Sequence, residues 1–210
     1  MMVLVKRYPN ETEVSQLVSK IRHLHVAVTF FISTIPSGGY HSETLYSLAT
    51  KTNGFCAFDS EDQNNTISTG ARVVGFIDSV IRPYLIYAAN PIVSGSQTVL
   101  LPQMIIPKTK YYMVTMTIQD DGPIDVVNTM MLQWKDDIYK TGNELGMRNK
   151  TPTEPISWWQ GNNIGYWEPF DNIVYNVSVT CNYADTKTRR LQIRFYSEDP
   201  YVDHWMPFDD

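Results

Sequence analysis

The chain has 210 residues, of which 43% are hydrophobic and 19% are charged, a composition typical of one large globular domain or two small ones. The formal net charge is -5, and no run of Lys and Arg exceeds two adjacent residues, so we expect neither a nucleic-acid surface nor a polybasic membrane-binding segment. The longest strongly apolar run, residues 26–32, is far shorter than the ~20 residues that span a bilayer.

The first residues, "MMVLVKRYPN", contain an apolar segment that predicts a β-strand over residues 3–8. Lys6 and Arg7 follow the apolar residues, whereas an export signal places its basic residues first. No export signal is therefore visible. Because the chain opens within a segment typical of a buried strand, we expect it to be part of a longer protein.

An amphipathic helix is predicted over residues 10–25, because apolar residues recur there at the spacing of one helix face. These residues are Val14, Leu17, Val18 and Ile21. Asn10 and Glu13 are expected to form a capping box at its start. The following residues 25–33 form a continuous apolar run, which predicts a strand buried on both faces.

A second helix is predicted from Ser42, as its N-cap, to Gly54, as its stop. Residues 55–58, "FCAF", predict a short third strand, and residues 69–81 a further helical piece. Residues 1–80 therefore predict a β-α-β-α-β unit with a parallel sheet.

After Pro83 the helical period disappears, and six strands with Gly, Pro and Asn turns predict an antiparallel β-sandwich over residues 81–198. The predicted strands cover residues 84–89, 97–106, 110–119, 125–134, 171–183 and 189–197. The last residues, 199–210, are expected to form an acidic, loosely ordered tail. The predicted fold class is α+β in two units.

Alternation is clearest in "DNIVYNVSVTCNYA", where one face is apolar and the other mostly polar. The face predicted to be buried carries Ile173, Tyr175, Val177, Val179, Cys181 and Tyr183. In "LQIRF", Leu191, Ile193 and Phe195 are predicted inside. We expect Cys56 and Cys181 to be buried thiols, although a bridge between them stays open.

The segment "HVAVTFFISTIPSGGYHSETLYSLATKTNGFCAF" resembles the C-terminal half of a von Willebrand factor A (VWA)-like domain. The following "YLIYAANPIVSGSQTVLLPQMIIPKTKYYMVTMTIQDDGP" resembles an uncharacterised β-sandwich domain that follows VWA-like domains in nematode secreted proteins, some of which carry C-type lectin domains. The resemblance covers nearly the whole chain. It implies a partial, Rossmann-type parallel α/β unit, an extracellular location and an adhesion function.

The resemblance also implies that residues 1–10 correspond to the fourth strand of a VWA domain. The family's Asp-x-Ser-x-Ser metal motif occurs nowhere in this chain, and Lys6 and Arg7 stand where the family places a metal-binding Asp. Two cations oppose a bound divalent ion. We therefore predict no metal site and no cofactor.

The segment "SWWQGNNIGYWEPF", residues 157–170, is the candidate ligand-binding loop. Flat aromatic rings beside amide side chains can cover and hydrogen-bond a sugar. The candidate residues are Trp158, Trp159, Asn162, Asn163, Tyr166 and Trp167. The alternative interpretation is that these aromatics fill one end of the sandwich or a seam between domains.

Four N-glycosylation sequons begin at Asn10, Asn64, Asn149 and Asn176 and favour a secreted glycoprotein. Neither a nucleophile motif nor clustered zinc ligands are present, so no catalytic residue is predicted. The leading hypothesis is a non-enzymatic extracellular recognition or adhesion protein that binds protein or glycan. The alternatives are a structural spacer without its own ligand and a truncated, non-functional paralogue.

Overall fold

A computed structural model of the chain describes residues 1–59, 84–119, 127–136, 138, 142–148, 162–199 and 206–208. The N-terminal residues form a three-stranded parallel sheet with two connecting helices. In chain order these elements are β1 (Met2–Val5), α1 (Ser15–His23), β2 (Thr29–Ser33), α2 (Ser42–Lys51) and β3 (Cys56–Asp59). The central strand, β2, is buried at every position, which explains its continuous apolar run.

The ends of both helices differ from the prediction. The expected capping box is wrong, because α1 begins at Ser15 with Val14 as its N-cap, and Glu13 accepts a hydrogen bond from the Ser15 backbone N–H at 2.7 Å. Ser42 is the first residue of α2 rather than its cap. After α2, Asn53 takes the left-handed conformation, with a φ of 56°, and turns the chain into β3.

Two five-stranded antiparallel sheets form a sandwich. Its strands are β4 (Tyr84–Ala89), β5 (Ile92–Val93), β6 (Ser96–Leu100), β7 (Met104–Ile105), β8 (Lys110–Ile118), β9 (Val127–Asp136), β10 (Gly142–Arg148), β11 (Asn163–Phe170), β12 (Val174–Tyr183) and β13 (Arg189–Ser197). One sheet has the order β11-β8-β13-β4, with β5 also paired to β13. The other has the order β10-β9-β12-β6, with β7 also paired to β12.

The core between the two sheets is rich in aromatic side chains. The ring of Phe170 lies at its centre, with centroids 5.3–6.0 Å from those of Tyr112, Trp134, Tyr175 and Phe195. The contact with Trp134 is tilted and the other three are edge-to-face; aromatic pairs at such distances stabilise a core beyond the apolar area that they bury. The predicted burial of alternate residues on β12 is confirmed from Tyr175 to Tyr183.

The sandwich has more strands than the sequence predicted. Residues 97–106 form two strands rather than one, because the Leu101 N–H still donates to Val177 O on β12 and Pro102, which has no N–H, then interrupts the ladder. β5, β10 and β11 were not predicted, and β11 occupies the second half of the supposed loop 157–170. β11 is an edge strand, where Pro169 is tolerated because its missing N–H faces away from the ladder.

The parallel sheet packs on the outer face of β13. Gln192 is fully buried there: its Oε1 accepts from the Cys56 backbone N–H at 2.8 Å, and its Nε2 donates to Tyr46 O at 3.1 Å. Arg194 is also fully buried and donates to the backbone carbonyls of Asn53 and Gly54, just beyond α2. These buried polar contacts join the parallel sheet to the sandwich.

The predicted fold class, α+β with a VWA-like parallel α/β unit beside a separate sandwich, is wrong. Ten of the thirteen strands in the described part of the chain belong to the two antiparallel sheets. The parallel sheet has three strands, and one edge and one face of it are buried by the sandwich. The fold is therefore a β-sandwich that carries a small parallel sheet and two helices. The predicted boundary near residue 80 and the helical piece 69–81 lie outside the described residues.

Candidate functional site: a polar groove on one sheet

The six residues predicted to bind ligand do not form one surface in the described structure. Trp158 and Trp159 lie outside the described residues. Tyr166 and Trp167 are adjacent on β11, so their side chains point to opposite faces of the sheet. The ring of Tyr166 packs against the sandwich core, whereas Trp167 and Asn163 share the face that carries the parallel sheet.

Asn162 is 3% exposed and holds the parallel sheet to the sandwich. Its Oδ1 accepts from the Phe58 backbone N–H at 2.8 Å, and its Nδ2 donates to Cys56 O at 2.9 Å. The same Nδ2 donates to Ile118 O at 2.6 Å. The amide therefore pairs with the outer edge of β3 much as a neighbouring strand would. Its role in sugar binding stays a prediction, while its structural role is visible.

Two of the four sequon asparagines lie within the described residues, and both are exposed. Asn10 precedes α1, and Asn176 lies on the outer face of β12. Asn64 and Asn149 lie outside the described residues. Glycosylation at all four sites stays a prediction.

The outer face of the β10-β9-β12 sheet contains an open groove of about 540 Å³. Cross-strand pairing arranges its floor in two rows: Gly142, Lys135 and Asn176 form one, and Glu144, Gln133 and Ser178 form the other. Asn143 and Trp134 also border the groove, but they are directly opposite each other and their side chains share the inner sheet face with buried Leu132 and Leu145. Gly142 has no side chain, so the end of the first row is open. A larger residue does not fit at this position, because its Cβ would lie 2.3 Å from Trp134 O.

Hydrogen bonds hold the groove side chains in place. Gln133 Nε2 donates to Glu144 Oε2 at 3.1 Å. Gln103 Nε2 donates to Asn176 Oδ1 at 2.9 Å. Side chains ordered in this way lose less conformational entropy when a ligand binds.

Tyr166 reaches the rim of the groove through its hydroxyl, which donates to Glu144 O at 2.9 Å. Burial, together with the negative charges of Glu168 and Glu144, raises the pKa of Tyr166 to about 12. The phenol therefore remains a hydrogen-bond donor at any physiological pH and fixes β10 against β11. The two sheets are joined at this side of the sandwich.

The groove residues were missed by the sequence analysis, although a signal for them exists. Gln133 and Lys135 alternate with buried Leu132 and Trp134 on β9, as Asn176 and Ser178 alternate with buried residues on β12. Polar outer faces are common on exposed sheets. The pattern alone does not show that the two faces adjoin.

A second, smaller cleft of about 320 Å³ lies between the sandwich and residues 206–207. It is mainly apolar, with Ile86, Ile105 and Pro107 on one side and Met206 and Pro207 on the other. Asn53 Nδ2 donates to Met206 O at 2.9 Å and holds the C-terminal segment there. The segment itself therefore forms one wall of this cleft.

The described residues contain no group of three His, Cys, Asp or Glu side chains placed to hold a metal ion. Cys56 and Cys181 are both buried free thiols, as predicted. Burial raises the pKa of Cys181. No helix among the described residues is long and apolar enough to cross a bilayer.

The fold and the groove define a β-sandwich protein with an exposed polar sheet face. The chain belongs to the family described as a domain of unknown function, DUF7154, which matches residues 89–198. The matched region runs from the end of β4 to just past the end of β13 and includes every groove residue. No curated protein matches the chain.

Two solved structures share a distant likeness with the chain. The carbohydrate-binding module CBM6cm-2 of Cellvibrio mixtus lichenase 5A, in complex with cellotriose, is 8% identical with a TM-score of 0.32, over 56% of this chain and 98% of that one. The Clostridium thermocellum xylanase Xyn10B CBM22-1-GH10 modules, complexed with xylohexaose, are 7% identical with a TM-score of 0.29, over 55% of this chain and 29% of that one. Likeness at these TM-scores is too weak to assign a fold or a ligand. The resemblance to VWA domains stays a prediction.

Proposed function

We propose that this protein is a non-enzymatic extracellular recognition module that binds an uncharged glycan in the groove between Lys135, Gln133 and Asn176. The observation that carries the proposal is the groove itself, with its two rows of polar side chains on a rigid sheet. The four sequons support the extracellular location.

The chemistry of the groove favours a neutral ligand with many hydroxyl groups. Its amide and hydroxyl side chains, Gln133, Asn176 and Ser178, offer both donors and acceptors. Lys135 and Glu144 carry opposite charges that offset one another across the floor. The volume of about 540 Å³ falls within the ~300–1,000 Å³ typical of small-molecule sites.

A glycan fits this surface better than a protein partner does. The centre of a stable protein interface is typically depleted in charge and enriched in aromatic residues and Met. Here Lys135 and Glu144 lie on the floor, and the ring of Trp134 is 3% exposed. The rings of Trp134 and Phe170 are used inside the sandwich core, where they contact each other at 5.3 Å.

A glycan array with protein purified from bacteria, which do not attach N-glycans, tests the proposal. The Gln133→Ala and Asn176→Ala variants should bind the best array ligand about 2- to 13-fold more weakly, since each loses a hydrogen bond worth about 0.5–1.5 kcal/mol. Asn128→Ala is the matched control: Asn128 is an exposed amide on β9 that does not line the groove.

Two results would refute the proposal. One is equal binding by the groove variants and the Asn128→Ala control, which would place the ligand elsewhere. The other is a folded wild-type protein that binds no glycan, which would favour the alternative of a structural spacer without a ligand of its own.

A further inference from the structure

Asn176 belongs to two features at once: it is a sequon asparagine, and it lines the groove. The sequon is Asn176-Val177-Ser178, and its two polar residues point to the same face because side chains on a strand alternate. Val177 is turned into the core and is 2% exposed. The acceptor asparagine and its hydroxyl partner therefore both face the groove.

The contacts of Asn176 leave its carboxamide suited to glycosylation. Gln103 donates to Oδ1, whereas an N-linked sugar is attached to Nδ2. Cross-strand pairing puts Lys135 directly opposite Asn176 and Gln133 directly opposite Ser178. Directly opposite residues have Cβ atoms about 4.5–5.5 Å apart, so the first sugar on Asn176 must lie beside Lys135.

We propose that N-glycosylation of Asn176 places the protein's own glycan in the groove and closes the groove to other ligands. This inference rests on the proposed function, since it regulates the same site. An attached sugar has an effective concentration of about 1 mM or more. Against a free glycan with a Kd of about 0.1 mM, a tethered sugar of equal intrinsic affinity weakens apparent binding about tenfold.

Asn10 provides an internal comparison. It is exposed and carries the sequon Asn10-Glu-Thr, but it lies before α1 and is not among the groove residues. A glycan there should leave the groove open. The two sites therefore separate the general effect of glycosylation from occupancy of the groove.

The experiment compares the full chain from bacteria with the same chain directed through the secretory pathway of a eukaryotic cell. Glycopeptide mass spectrometry measures occupancy at Asn176 and Asn10, and the array measures binding. Asn176 should be occupied, and the secreted protein should bind about tenfold more weakly than the bacterial protein. Secreted Asn10→Gln should remain weak.

The variant Ser178→Ala removes the sequon at Asn176. Because Ser178 also lines the groove, secreted Ser178→Ala is compared with bacterial Ser178→Ala, and the two should bind equally. An unoccupied Asn176 in a protein glycosylated at Asn10 would overturn the inference alone. So would equal binding by the bacterial and secreted wild-type proteins. If the bacterial wild-type protein binds no glycan, the proposed function and the closure of the groove both fail, whatever the occupancy.

Discussion

The sharpest test of the structure is the Asn162→Ala substitution. The Asn162 amide is the partner of three backbone groups: the Phe58 N–H, the Cys56 carbonyl and the Ile118 carbonyl. Cys56 and Phe58 are 0% and 1% exposed, so water does not replace the lost amide without a rearrangement. The substitution therefore removes two buried hydrogen bonds on the outer edge of β3 and one to Ile118 on β8, and leaves the bond between the Cys56 N–H and Gln192.

The expected loss in the free energy of unfolding is about 3 kcal/mol. A buried donor or acceptor left without a partner costs about 1–3 kcal/mol, and the substitution affects two such groups on β3 and one on β8. Partial relaxation keeps the total near the lower end of that sum. Against a typical stability of about 5–15 kcal/mol, this is a large fraction.

Urea denaturation followed by far-UV circular dichroism measures this loss, with Asn128→Ala as the control. Asn128 is exposed and donates to Asn182 Oδ1 at 3.4 Å, so its substitution should change stability by no more than about 0.5 kcal/mol. A loss below about 1 kcal/mol for Asn162→Ala would refute the reasoning. If that variant instead kept its stability and lost glycan binding, the sequence-based interpretation of Asn162 as a ligand residue would be right.

Three further predictions concern buried and titratable groups. Arg194→Lys should destabilise the protein by about 2 kcal/mol or more, because an ammonium group cannot reproduce the guanidinium hydrogen bonds to Asn53, Ala89 and Asn90. Unchanged thermal unfolding of this variant would contradict the prediction. Burial raises the pKa of both Tyr166 and Tyr196 from 10.0 to about 12. The unfolded chain therefore loses these protons first, and the free energy of unfolding should fall as pH rises from 10 through 12. In urea titrations the Tyr166→Phe/Tyr196→Phe double variant should show a smaller fall. The hydrogen bond from Arg189 lowers the pKa of Asp185 from 3.8 to about 2. The free energy of unfolding should therefore fall as pH drops from about 4 through 2. Asp185→Asn should flatten this part of the curve of stability against pH.

The inner faces of the sandwich could be predicted because they depend on local alternation. The predicted inward residues Leu191, Ile193 and Phe195 are all fully buried. Their neighbours Gln192 and Arg194 point to the opposite face of the strand, yet both are fully buried as well. A strand pattern records which residues are polar, but it does not show what packs on the polar side.

The candidate site could be predicted less well, because it is built from residues far apart in the chain. The segment 157–170 drew attention by its aromatic content, but its described part is an edge strand and a buried asparagine. The groove has an unremarkable sequence: Gln133 and Ser178 are 45 positions apart, and pairing in register brings them side by side. Such register depends on the whole sheet rather than on either segment.

The sequence by itself determined the periodic features of this protein: the continuous apolar run of β2, the alternation on β12 and the buried positions of both cysteines. These follow from the local requirement that apolar side chains leave water. The tertiary structure alone decided that the parallel sheet packs on the outer face of β13 and that Asn162 completes the edge of β3. It also decided that the sequon at Asn176 faces a groove. Those outcomes arise from hydrogen bonds and packing between distant segments, from Gln133 with Ser178, 45 positions apart, to Phe58 with Asn162, 104 apart, which no local pattern encodes.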